Sequence, residues 1–494
     1  MKILARKPEI VFHLIAAYCL ISIVFRILRQ PSLEADEAEQ AFLSQYLLIG
    51  YGNQPPFYNW LQYLVSEAFG MSIATLSLVK NGLLFLCCLF YGLAARTILA
   101  DRALSMIAML GVLTLPPIFF LAQRDLSHTI AALFTVSLFL YAFLNTLKRP
   151  SLGWYLATGF AVGVGILSKY NFVIVPTAAV IAILPDTELR RRIFDWRVLA
   201  AIAVAALIVA PHAWWVLDNL GSATGDTINE MKEGAENVVL PLWLHGTLFL
   251  LLAILKGIAP PLAVFAIVFH RDLKVIARAE SRWTCVMGRM ILACFAIVAI
   301  ITVAMSASAI REKWLALFIV LLPLYLAAKV EAAGVDTAPK LPRFLTIVAV
   351  LAVGSVLLLF IRVTVAGMIG QYSFAHTPYK AFAKTVVEEH GAIPASIITD
   401  DRVLAGNLKI QLPEADIYLP AFPPGETTVL PPDGSVLAAW EANKETRETL
   451  PGRIADVLGK SGIDPKTFDV RLIDVPYGNR RADDIYRFGY DWAR

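Results

Sequence analysis

Polar and apolar positions along this chain are sorted into long blocks, not alternated at the short periods of a soluble fold. Uninterrupted apolar stretches of roughly 17–25 residues are what an α-helix needs to cross a bilayer. They predict spans near 9–29, 72–95, 103–121, 127–147, 153–167, 172–184, 198–217, 245–269, 288–309, 315–330 and 344–365, about eleven in all. The runs 153–167 and 172–184 are short, so Ser168-Lys169-Tyr170-Asn171 either separates two helices or interrupts one long one. After residue 365 the blocks give way to short mixed segments. There ASIITDD, ADIYLP, GSVLAAWE and FDVRLIDVPY read as strands, RVLAGNLKIQL as an amphipathic helix, and PGRIADVLGKSG as a helix closed by glycine. The pattern therefore predicts a mainly α, polytopic membrane domain over 1–365 and a small α/β domain over 366–494.

Composition agrees. Of 494 residues, 58% are hydrophobic and 17% charged, against about 45–50% and roughly 25% in soluble domains. The mean hydropathy is +0.65. All five cysteines (Cys19, Cys87, Cys88, Cys285, Cys294) lie in apolar runs, which argues against external disulfides and a cysteine metal site. The N-terminus starts like a signal peptide but lacks a small-residue cleavage site, so it reads as an uncleaved first helix.

The net charge of +4 matters less than its distribution. Basic residues cluster at Lys2/Arg6/Lys7, Arg96/Arg102, Lys148/Arg149, Arg190/Arg191/Arg192/Arg197, Arg271/Lys274/Arg278/Arg282 and Lys340/Arg343. The positive-inside rule then makes the N-terminus cytoplasmic and turns loops 30–71, 122–126, 168–171, 218–244 and 310–314 outward, with the C-terminal tail. No nucleic-acid partner is expected.

One outward stretch stands out. LEADEAEQ places Glu34, Asp36, Glu37 and Glu39 together, with no Lys or Arg anywhere from residue 30 to residue 79. Such a cluster works against anionic headgroups, so it is either a solvated loop or a site of chemistry. It leads into EAEQAFLSQYLLIGYG, where Phe42, Tyr46 and Ile49 recur at helical spacing and Gly50 and Gly52 end the helix. NQPPFYNWLQYLVSEAFG then restarts with paired prolines followed by Phe57, Tyr58 and Trp60, aromatics suited to a membrane interface.

The other outward loops are short. In LAQRDLSHTIAALF, Arg124 and Asp125 sit at a span mouth with His128 one turn deeper, and Asp125 is a sound helix cap as well as a candidate acid or base. Lys169 lies between two apolar runs, where a lysine is costly unless paired. Arg311 and Lys313 open another span; they either snorkel or hold a phosphate. Carboxylates and cations gathered on one side suit transfer of a sugar from a lipid phosphate. A carboxylate takes a proton from the attacking hydroxyl, and cations stabilise charge developing on the departing phosphate.

The segments ADEAEQAF, PPFYNWL, RDLSHTIAALFTVSLFLYAF, GILSKYNFVIVP and REKWLALFIVLLP resemble the GT-C glycosyltransferases of the protein mannosyltransferase and ArnT type. The similarity covers about residues 1–330 and looks closest to the RgtA/B/C/D-type galacturonosyltransferase branch. It implies a GT-C fold in the bacterial inner membrane with a long first periplasmic loop, and an active site and C-terminus in the periplasm. It also implies a polyprenyl-phosphate sugar donor, a glycolipid acceptor (lipid A or lipopolysaccharide core), surrounding membrane lipids, inversion at the anomeric carbon, and neither metal nor cofactor. Carried over residue by residue, Asp36 is the base with Glu37 beside it, and Asp125 positions acceptor or base. Lys169, Arg311, Lys313 and Arg124 hold the donor phosphate. Gln54, Tyr58, Trp60 and His128 fall in the substrate groove, and Glu34 and Glu39 are solvated bystanders. Many relatives have lysine before the paired prolines; Gln54 cannot neutralise phosphate, which shifts that task to the other cations. Two alternatives stand beside this reading. One is a protein O-glycosyltransferase. The other is a lipid-linked sugar transporter, which needs charges along mid-span, where only Lys80 and Lys256 lie.

Overall fold

The structure, a computed structural model, describes residues 7–124, 126–232, 240–443, 448–467, 469–478 and 484–493. Its helices of eight residues or more run in this order. The apolar α1 (Ile10–Leu28) is followed by the acidic α2 (Ala35–Leu43), and α3 (Phe57–Phe69) starts directly after Pro55-Pro56. Next come α4 (Ile73–Ile98), α5 (Arg102–Val112), α6 (Ser127–Lys148), α7 (Leu152–Ser168), α8 (Ile174–Ile183) and α9 (Arg197–Asp218). They are followed by α10 (Leu220–Met231), α11 (Leu242–Val268), α12 (Arg282–Ala304), α13 (Glu312–Ile319), α14 (Leu322–Ala332) and α15 (Lys340–Met368). The C-terminal part holds α16 (Tyr379–His390), β1 (Ser396–Ile398), α17 (Arg402–Gln411), β2 (Asp416–Tyr418), β3 (Val436–Glu441), α18 (Gly452–Lys460), β4 (Arg471–Pro476) and β5 (Ile485–Ala493).

Among the described residues, eight helical runs are long and apolar enough to cross a membrane, with α13 and α14 together making one of them. A bent pair raises this to nine, and α7 and α8 are shorter apolar helices. The protein is thus a multi-pass membrane protein, and the apolar blocks became helices where expected, with two differences. The block at 103–121 is not one straight helix: Arg102–Val112 and Pro116–Gln123 meet at 71°. Pro116 and Pro117 have no N–H to continue the ladder, and the Thr114 hydroxyl turns back onto the Gly111 carbonyl at 2.6 Å. The block at 288–309 begins earlier, at Arg282, because Ser281 and Thr284 form a capping box there.

Two compact units emerge from the packing, and they interleave along the chain. One comprises Met1–Ile21, Gly52–Tyr58 and Lys80–Ser355; the other comprises Ser22–Tyr51, Asn59–Val79 and Val356–Arg494. Within the first, α7 and α9 touch backbone to backbone. A β-carbon at Gly159 would lie 2.1 Å from the Ala201 carbonyl oxygen, and one at Gly163 2.9 Å from Ile208 Cβ. Small residues one turn apart allow this approach where lipid supplies no hydrophobic drive between helices.

The second unit is built on a five-stranded sheet in the order β2-β1-β3-β5-β4. β1 runs parallel to β2 and β3, and β5 pairs antiparallel with β3 and β4. Side chains alternate between its faces. Leu437 and Ala439 of β3 join one core with Ile397, Phe488 and Tyr490, while Val436, Ala438 and Trp440 join another with Ile454 and Leu458 of α18. Opposite Trp440 in the register is Gly489, where a β-carbon would fall 2.2 Å from the indole. The strands and helices expected in this region are present, and α16 and β5 add to them.

Candidate active site

In the second unit the acidic stretch folds as α2, and its charges are met by residues distant in sequence. The guanidinium of Arg26, in the last turn of α1, donates to both carboxylate oxygens of Glu37, at 2.8–3.1 Å. It also donates to the carbonyls of Gln30 (3.1 Å) and Ser32 (3.3 Å). Both partners are at most 5% exposed. Glu39 pairs with Arg402 of α17 at 2.8 Å. Glu34 is buried and precedes the helix. Glu34 and Glu39 are therefore not solvated bystanders, and the cluster is not without cations: the fold delivers Arg26 and Arg402 to it. Asp36, in the first turn, is half-buried.

α2 is seated on the α/β domain. Ala38 packs so closely on Gly406 of α17 that a β-carbon there would lie 1.8 Å from the Ala38 carbonyl oxygen. The Leu33 amide donates to Asn407 Oδ1 at 2.8 Å, and Ser32 Oγ to the Thr377 carbonyl at 2.7 Å. The helix stops at Leu43, short of the expected Gly50. Beyond it Gln45 brackets the backbone of Ile417 in β2, accepting from its N–H at 2.9 Å, and the Tyr46 hydroxyl donates to the Ile417 carbonyl at 3.1 Å. Ile49 is exposed. Trp60 of α3 donates its indole N–H to the Leu48 carbonyl at 2.7 Å and packs against the same core.

The first unit holds the cation candidates. α6 opens after Leu126, which adopts a left-handed conformation (φ 76°). Asp125 lies outside the described residues. Arg124 before it is half-buried. His128 is buried and lies against the Tyr58 ring, centroids 5.6 Å apart, while Phe57 stacks on Phe134 at 6.4 Å. Gln54 is half-buried in the preceding loop.

Between α7 and α8 the chain breaks at Lys169, whose extended backbone ends α7 and starts a 3-10 turn, Tyr170–Val173. Four hydrogen bonds to three helices hold this break. Lys169 Nζ donates to Thr129 Oγ1 of α6 at 2.9 Å, and Ser168 Oγ lies 3.0 Å from Thr135 Oγ1. The Tyr170 hydroxyl meets His212 Nε2 of α9 at 3.0 Å, and Asn171 Nδ2 donates to the Trp314 carbonyl of α13 at 3.0 Å. The last bond links the Lys169 segment to the helix that carries Lys313 and is preceded by Arg311. Arg311 lies 3.6 Å from Glu230. Its loop is anchored by the Ser308 and Ala309 amides, which donate to the Met231 carbonyl. Lys169, Arg311 and Lys313 thus sit on mutually bonded elements. Lys80, set aside as a mid-span charge, is buried within α4, and its neighbour Asn81 accepts from Gln123 Nε2 at 3.1 Å. Lys256 pairs with Glu312 at 3.1 Å.

Comparison with known proteins shows the family. Residues 53–215 match the family model described as dolichyl-phosphate-mannose-protein mannosyltransferase. The chain is 44% identical over 485 residues to the lipopolysaccharide core galacturonosyltransferase RgtA of Rhizobium johnstonii, covering 97% of this chain and 96% of that protein. The chain belongs to the RgtA/RgtB family of GT-C glycosyltransferases. RgtB of the same organism is 43% identical over 486 residues, covering 98% and 97%. ArnT from Cupriavidus metallidurans, in a crystal structure bound to undecaprenyl phosphate, shares the fold at a TM-score of 0.64 and 14% identity, covering 98% of each chain. The similarity to RgtA and RgtB extends through the C-terminal sheet domain, beyond the first 330 residues to which the sequence resemblance was confined.

Three groups of buried polar residues carry little signal in the sequence. Arg26 was hidden as the basic end of an apolar span. Asn59 and Gln62 were hidden in an aromatic-rich helix. His212, buried beside Tyr170, lies within a span next to Pro211. The signal available for Arg26 was its position, one turn before a loop full of carboxylates.

Proposed function

We propose that this protein transfers a uronic acid, most simply galacturonate, from a polyprenyl-phosphate donor to a hydroxyl of lipopolysaccharide core or lipid A. The observation that carries this reading is the near full-length similarity to RgtA at 44% identity. Transfer takes place on the periplasmic face of the inner membrane, with 1–365 as the transferase domain and 366–494 as a periplasmic domain. The acceptor hydroxyl attacks the anomeric carbon opposite the phosphate; the new glycosidic C–O bond forms as the sugar–phosphate bond breaks, inverting the centre. Asp36 accepts the hydroxyl proton, and polyprenyl phosphate leaves with the bonding electron pair. Glu37, its oxygens occupied by Arg26, fixes the first turn of α2 and so positions Asp36. Asp125 orients acceptor or base. Lys169, Arg124, Arg311 and Lys313 stabilise the leaving phosphate, and Gln54, Tyr58, Trp60 and His128 belong to the substrate groove.

The test is mass spectrometry of lipid A and core from a strain lacking the gene, complemented with wild type or Asp36→Asn. Loss of a hexuronate-sized mass, restored by wild type alone with both proteins at equal level, supports donor class, acceptor and base together. Full restoration by Asp36→Asn removes Asp36 from the base role. An unchanged glycolipid profile removes the lipid acceptor, and a hydroxylated protein acceptor takes its place.

A further inference from the structure

α3 is built inside out. Its buried positions are Tyr58, Asn59 and Gln62, while Leu64 is 58% and Phe69 73% exposed. A helix that turns leucine outward and amides inward reverses the usual amphipathic order, as membrane helices do when their inner side serves a polar function. Asn59 is 1% exposed and Gln62 0%, one turn apart on the same face. Among the described residues, neither Nδ2 nor Oδ1 of Asn59 has a hydrogen-bond partner, and neither has Gln62 Oε1. Gln62 Nε2 donates to Ser66 Oγ at 3.1 Å. Leaving buried amide groups unpaired costs about 1–3 kcal/mol each, and native proteins tolerate few of them.

The orphaned set selects its ligand. It consists of two carbonyl acceptors and one amide donor group. Phosphate and carboxylate only accept hydrogen bonds and cannot satisfy the two carbonyls. A hydroxyl both donates and accepts, and neighbouring hydroxyls on a sugar ring meet all three groups. We propose that Asn59 and Gln62 are specificity-determining residues that bind ring hydroxyls of a substrate sugar, on either the transferred uronate or the acceptor glycolipid. This rests on the glycosyl transfer proposed above. Burial sharpens the discrimination: a sugar lacking the hydroxyl leaves the amides unpaired, which is how buried polar sites reject close analogues.

The experiment uses full-length protein in nanodiscs, with polyprenyl-phosphate galacturonate as donor and deacylated-core lipopolysaccharide as acceptor. Asn59→Leu and Gln62→Met keep side-chain size and remove the polar atoms. Each is expected to melt at the wild-type temperature or higher, since an unpaired amide has gone, and to lose at least about tenfold in transfer, the worth of one hydrogen bond. A rise in KM for donor alone or acceptor alone assigns which sugar is held. Variants that melt higher and transfer within twofold of wild type overturn the proposal, because the amides would then only be tolerated. Should a variant fail to fold, Asn59→Ser and Gln62→Ala replace it under the same criterion. Wild type that transfers no uronate defeats the functional reading itself, a result distinct from active wild type with unaffected variants.

Discussion

At the scale of single residues, the proposed reading gives the two carboxylates of the first turn of α2 separate duties, and they should fail differently. Asp36→Asn is expected to lower transfer by roughly 10²–10⁴-fold, the usual worth of a general base, with the melting temperature unchanged. Glu37→Gln is expected to destabilise instead. It leaves Arg26 charged and buried, and breaking a buried pair from one side typically costs about 3–5 kcal/mol. The double variant Arg26→Met, Glu37→Leu should recover much of that loss, since no charge remains unpaired. Thermal melting in detergent, read beside activity, separates the two. Equal loss of stability in Asp36→Asn and Glu37→Gln would contradict the division. The acidic cluster itself was legible from sequence. What neutralises it was not, because Arg402 lies 363 positions from Glu39 and no local pattern encodes such a pair.

At the scale of elements, close approach and hydrogen-bonded breaks decide the geometry. Gly159→Val should prevent α7 from meeting α9, since its side chain would collide with the Ala201 carbonyl, and the yield of folded protein should fall sharply. Normal yield and activity would refute the contact. The break at Lys169 makes a softer prediction: Asn171→Leu removes the bond to the Trp314 carbonyl and should raise the donor KM while sparing acceptor KM. Outside the spans, Asp186 caps a short turn, Thr187–Arg190, and its carboxyl is held well below the ordinary range by hydrogen bonds from the Arg282 guanidinium. The folded carboxyl therefore releases its proton more readily than the unfolded one. The bridge contributes fully above pH of about 4 and is lost as pH falls below it. Because Arg282 is 37% exposed, solvent screening limits the contribution to about 1 kcal/mol. Between pH 6 and 3 wild type should lose more in Tm than Arg282→Gln; identical slopes would exclude the bridge. Sequence pattern located the apolar elements because length and hydropathy alone define a span. It missed the bend at Pro116-Pro117, although paired prolines were in view. It also missed α16, which ends at Gly391 in a left-handed cap, and β5, whose alternation runs through Tyr486, Phe488 and Tyr490 on one core.

At the scale of the whole molecule, the family and the fold were legible while the seating of the candidate base was not. The sequence divides by composition at about residue 365, but the packing does not: Ser22–Tyr51 belongs to the same compact unit as the C-terminal sheet. A chain ending at residue 365 is accordingly expected to insert in the membrane and to lack transfer activity, because Ala38, Leu33 and Gln45 lose Gly406, Asn407 and Ile417. Activity in that truncation would show that α2 holds its place without the sheet. The same bonds set an order of biosynthesis. Leu33 leaves the ribosome 374 residues ahead of Asn407, which at about 5–20 residues per second is a delay of roughly 20–75 s. The helix bearing Asp36 is among the first segments made and among the last completed, so, with Asp36 as the proposed base, a nascent or prematurely terminated chain is expected to stay catalytically silent until translation is nearly finished.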